Sequence, residues 1–158
     1  MWTEERIEIG RNFGLAIQRG QAEVVREMCA ENPWLVTDYQ WDGKQIWLIR
    51  AAHQGSLAMM ATLLDLGFSP NALRLPEKAT ALSTAIDKEN REVVELLLSR
   101  GASPNLDRPL ITSLNLATVA KRMEFVKLLV ENGADVNRLY PLYNNEDDAF
   151  TVLDRTTD

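Results

Sequence analysis

The chain repeats itself. The segments AIQRGQAEVVREMCAENP from Ala16, AAHQGSLAMMATLLDLGFSPN from Ala51, AIDKENREVVELLLSRGASPN from Ala85 and ATVAKRMEFVKLLVENGADVN from Ala117 superpose. Their equivalent positions Glu23, Ala58, Glu92 and Glu124 are 35, 34 and 32 residues apart. A period of this length restricts the chain to a stack of small units, because each unit buries its apolar face only against its neighbours.

Every unit reads alike: a short helix of small residues, a break near Gly20, Gly55, Asn90 or Arg122, a second helix with an apolar face, and a terminator. In the third unit Val93, Val94, Leu96, Leu97 and Leu98 supply the buried face, while Arg91, Glu92, Glu95 and Arg100 stay wet. Gly67, Gly101 and Gly133 then stand where a left-handed helix cap is required. Helices this short are marginal alone, so the stack supplies the stability.

These residues resemble the ankyrin repeat family. The family's pattern is matched in pieces by ATALSTAI at 79–86, REVVELLLSRGASPN at 91–105 and MEFVKLLVENGADVN at 123–137. The resemblance implies an all-α, right-handed ankyrin-like solenoid of helix-turn-helix repeats with β-turn fingers. As one domain over 1–158 it divides into repeats at about 8–37, 41–73, 75–106 and 107–139, with an incomplete repeat at 146–158. The resemblance implies a protein-binding scaffold and transfers no catalytic residue.

Departures from the family are informative. Thr-Pro before the first helix is replaced by Ile46-Trp47, Thr80-Ala81, Thr112-Ser113 and Thr151-Val152. Losing a proline preorganised for the first helical turn predicts irregular fingers, with Thr80 and Thr112 still available as caps. Trp47, in the proline's place, is expected to pack between neighbouring fingers. The first unit ends in Asn32-Pro33-Trp34 instead of Gly-Ala, and the last stretch stops after the signal for a first helix. That stop leaves two readings, a half-repeat cap or a sequence that continues; the exposed need of Leu153 for packing favours continuation.

Seventeen basic and 23 acidic side chains give a formal charge of −6, which disfavours a nucleic-acid backbone as partner and favours a basic protein. Glu4, Glu5, Arg6 and Glu8 break any signal-peptide core, and no run of about 18 apolar residues offers a membrane span. A cytoplasmic protein, monomeric when unbound, is the expectation. Cys29 is the lone cysteine and lies in an apolar pattern, which predicts a buried spectator. Zinc-ligand spacing, a nucleophile-base arrangement and a phosphate-binding glycine loop are all missing, so neither a metal nor a cofactor nor an enzymatic role is expected.

In ankyrin-like stacks the fingers and first helices form the contact surface. By that resemblance the candidates are Trp41, Asp42, Gln45, His53 and Gln54 in the second unit, and Glu77, Lys78, Asp87 and Lys88 in the third. The fourth adds Arg108, Leu110, Val119 and Lys121, and its long connection adds Tyr143 with Glu146, Asp147 and Asp148. Trp41 is either a partner anchor or a ring folded over the connection 36–40. The acidic cluster is either a solvated turn or a contact for a basic protein. The function expected is a non-enzymatic protein-binding module, an inhibitor or immunity protein that occludes a cognate partner. The alternative is a regulatory or targeting domain of a larger enzyme.

Overall fold

A computed structural model describes residues 3–37, 46–73, 79–106, 113–137, 140–141 and 149–150. Its helices are α1 (Glu4–Gln18), α2 (Ala22–Glu31), α3 (Trp34–Thr37), α4 (Ile46–Gln54), α5 (Leu57–Asp65), α6 (Ala81–Asp87), α7 (Arg91–Ser99), α8 (Ser113–Val119) and α9 (Met123–Glu131). Apart from the single turn of α3, they pair in sequence order as α1/α2, α4/α5, α6/α7 and α8/α9. First helices α1, α4, α6 and α8 pack side by side in one layer, and α2, α5 and α7 do so in a second. The result is an all-α solenoid of stacked helix-turn-helix units.

Local chemistry sets the helix ends. Thr80 caps α6 with a reciprocal pair: its Oγ1 accepts from Ser83 N at 3.0 Å, and Ser83 Oγ accepts from Thr80 N at 3.0 Å. Ser56 and Asn90 cap α5 and α7 in the same sense. At the other end Gly67, Gly101 and Gly133 adopt φ of 93°, 84° and 85°, and the next residue's N–H returns to Leu63, Leu97 or Leu129. This is the left-handed cap that the glycines predict.

The turn inside each unit follows one rule with two solutions. Gly20 and Gly55 take φ of 69° and 70°, and the equivalent Glu89 and Lys121 take 55° and 56°. Each unit therefore needs a left-handed residue at this point, and the last two units meet that need with ordinary side chains.

Between the layers lies one continuous core. Ile17, Met60, Leu63, Ile86, Val94, Leu97 and Leu129 are fully buried in it. Hydrogen bonds that recur with the period hold neighbouring units in register. At the inner turns, Gln54 Nε2 donates to Gln18 O at 3.1 Å, Asn90 Nδ2 to Gly55 O at 3.1 Å, and Arg122 Nη1 to Ile86 O at 2.7 Å. At the outer connections Asn71 bridges Gly101 O and Ser103 N, and Asn105 bridges Gly133 O and Asp135 N.

These outer bridges correct one expectation, the β-turn fingers. The connections 66–72, 100–106 and 132–137 contain turns and no strand. In these stretches the carbonyls of Gly101 and Gly133 and the N–H groups of Ser103 and Asp135 are bonded to the Asn71 and Asn105 amides of the preceding unit and not to another strand. Two-residue strands pair at Tyr140–Pro141 against Ala149–Phe150, beyond the last helix pair, and Ala79 forms an isolated bridge just before α6. The incomplete repeat expected at 146–158 lies outside the described residues except for that second strand.

Trp47 also departs from expectation, since it enters the helix layer and not a space between fingers. It is 5 % exposed and meets Phe13 edge-on at 5.2 Å, and Phe13 in turn stacks on Phe68 at 6.0 Å. Gly14 makes this possible: a Cβ there would stand 3.0 Å from the Trp47 ring and 2.7 Å from Arg50 Nη1. A bulky ring at the first turn of α4 is accommodated by removing a side chain from α1.

Candidate protein-binding surface

Stacking converts one position of the repeat into a row on the molecule. Gln18, His53, Asp87 and Val119 are equivalent, sit near the C-terminal ends of α1, α4, α6 and α8, and are all exposed. Beside them run Arg19, Gln54, Lys88 and Ala120, exposed as well. The three inner-turn hydrogen bonds from Gln54, Asn90 and Arg122 fix the spacing of these helix ends, so the row is built before any partner arrives.

Of the side chains singled out in the sequence, this row brings together His53, Gln54, Asp87, Lys88 and Val119, with Lys121 one turn residue further on. Gln54 is also a strap between the first two helix pairs, through its bond to Gln18 O. Asp87 and Lys88 lie 3.9 Å apart, a solvated pair of neighbours with weak mutual hold. Val119 is 59 % exposed, an apolar side chain left uncovered at the end of α8. Trp41, Asp42, Gln45, Glu77, Lys78, Arg108, Leu110, Tyr143, Glu146, Asp147 and Asp148 lie outside the described residues.

Sequence reasoning missed a second feature, a groove of about 320 Å³ between α1 and α4. Ile7, Arg11, Leu15, Ile46, Trp47 and Arg50 line it. The signal was present as Ile7, Arg11 and Leu15 at four-residue spacing, one face of a helix, with Arg50 at the repeat position equivalent to Leu15.

Cys29 is buried on α2, and burial pushes its thiol up to about 11, so it remains protonated and unreactive at neutral pH. No group of three or more His, Cys, Asp or Glu among the described residues is placed to hold a metal ion. No described helix is long and apolar enough to cross a membrane.

A family model described as ankyrin repeats, in three copies, matches residues 48–140, which is more than half of the chain. The chain is similar to ankyrin repeat and KH domain-containing protein mask-1 of Caenorhabditis elegans, 38 % identical over 90 residues, or 56 % of this chain and 3 % of that protein. It is similar also to ankyrin repeat protein FPV018 of Fowlpox virus (strain NVSL), 28 % identical over 123 residues, or 77 % of this chain and 17 % of the viral protein. The chain thus spans a small part of the length of either relative. The chain belongs to the ankyrin-repeat family.

Proposed function

We propose that this chain is a protein-binding module that engages its partner along the exposed ends of its first helices. The observation that carries this reading is the row Gln18, His53, Asp87 and Val119, four non-contiguous residues held at fixed spacing by inter-repeat hydrogen bonds. A rigid, mixed polar and apolar row loses little freedom on binding, which favours affinity from few contacts. Occlusion of a cognate protein, as an inhibitor or immunity protein does, is the mechanism such a preformed surface serves. The charge of −6 favours a partner of net positive charge at long range, although screening beyond about 8 Å leaves the docked contact to local groups. A second reading, a regulatory or targeting module within a larger protein, draws support from the small share of each relative's length that the chain matches.

The test is affinity capture from the native lysate, with the partner identified by mass spectrometry and rebound to purified variants. The combined variant His53→Ala, Asp87→Ala and Val119→Ala should weaken that complex by about 2 kcal/mol, the scale of an interface hot spot, while its thermal transition stays in place. A complex of undiminished affinity would remove the row from the interface.

A further inference from the structure

The groove between α1 and α4 combines an apolar floor with two cations that form no ion pair with a described residue. Ile7 and Leu15 are 42 % and 39 % exposed, both high for residues of their kind on a packed helix, and Ile46 is only partly covered. Trp47 closes the floor. Arg11 and Arg50 stand on the walls, one from each helix, and neither forms an ion pair with a described residue. The guanidinium of Arg50 lies over the Trp47 ring at 5.6 Å, a cation–π contact made by a side chain that remains exposed. Among the described residues no acidic side chain lines the groove, although Glu4, Glu5 and Glu8 lie on the same helix as Arg11.

From this arrangement we infer that the groove takes a segment of a partner protein in which a carboxylate lies beside an apolar side chain. The carboxylate is recognised by Arg11 and Arg50, whose planar forks suit it, and the apolar neighbour covers Ile7, Leu15 and the edge of Trp47. A basic segment is disfavoured, because it would bring like charge against both walls. A purely apolar segment would bury the two arginines without anions. This inference deepens the binding-module reading and rests on it. It also gives the acidic chain a local preference opposite to its net charge.

The inference is tested by selecting a displayed library of short random peptides on the intact chain and measuring the enriched peptides against variants. Enriched sequences should place Asp or Glu next to Leu, Ile, Phe or Met. Arg11→Gln, which removes a side chain with no described partner, should weaken them about tenfold, the scale of one charge-assisted hydrogen bond. Leu15→Gln should weaken them as well, and Lys127→Gln on α9 should leave them unchanged. Raising salt should reduce the binding of the wild-type chain more than that of Arg11→Gln. Enrichment of basic peptides, or binding indifferent to both Arg11→Gln and Leu15→Gln, would overturn the groove. If the enriched peptides are lost only in the His53, Asp87 and Val119 variant, the groove fails and the binding module stands. An absence of any enrichment also overturns the groove, and leaves the module to its separate test by lysate capture.

Discussion

Asn90 shows how much one side chain can carry in a repeat protein. Its Oδ1 accepts from Val93 N at 3.0 Å and caps α7, while its Nδ2 donates to Gly55 O at 3.1 Å and ties the third helix pair to the second. Gly55 is shaped to receive it, since a Cβ there would stand 2.9 Å from Asn90 Nδ2. Replacing Asn90 by Ala removes both bonds and is expected to cost about 2 kcal/mol, roughly 1 for the cap and 1 for the tie. Asn90→Asp keeps an oxygen for the cap, but sets a second oxygen against the Gly55 carbonyl. Its expected loss is about 1 kcal/mol. Urea titration of the three proteins checks the order, and equal losses for Ala and Asp would assign the whole effect to the tie. The residue was legible in the sequence only as part of a break; its partner 35 residues earlier was not.

At the level of the element, the turn between paired helices is a fixed shape that different residues fill at different strain. Gly20 has no heavy atom within 4 Å of a Cβ position, so Gly20→Ala isolates the backbone effect and should destabilise by about 1 kcal/mol. Lys121 holds φ of 56° at the equivalent position and is exposed, with no ion pair among the described residues. Lys121→Gly should therefore stabilise the fold by about 0.5 kcal/mol, after the greater freedom of glycine in the unfolded chain is subtracted. Glu89 is less clean, because its carboxylate meets Arg122 Nη2 at 2.8 Å. Chemical denaturation of Gly20→Ala and Lys121→Gly should move the midpoints in opposite directions. Movement in the same direction would mean that the turn is not under this strain. The pattern also explains the unequal caps: Arg122 leaves α9 without a side-chain cap and reaches instead to Ile86 O and Glu89.

Across the whole molecule, stability is a sum of neighbour contacts, so damage to one unit should travel. Leu97 is fully buried on α7, which packs against α6 and α5. Leu97→Asp places a charge without a partner in that core and should destabilise by about 4 kcal/mol or more. Hydrogen exchange should then show lost protection in α5 and α6 as well as α7. Loss restricted to α7 would mean that the helix pairs unfold independently, against the continuous core. The groove and the row of helix ends share the first-helix layer, and their geometry depends on the same stack.

The sequence by itself determined the period, the helix pairs, the glycine caps after the second helices, the Thr80 cap and the burial of Cys29. Apart from the period itself, these are local patterns, written in residues a few positions apart. Tertiary structure alone decided the rest. Trp47 reached the α1–α4 interface because Gly14, 33 positions earlier, has no side chain there. Asn71 and Asn105 bond with their amides to backbone of the following unit, 28 to 32 residues away, in connections where strand fingers were expected. Arg11 and Arg50 became one site only when α1 was laid against α4. Periodicity states which side of a helix is apolar, but the groups that meet across neighbouring repeats depend on side-chain shape and vacant hydrogen bonds, which a one-dimensional pattern does not contain.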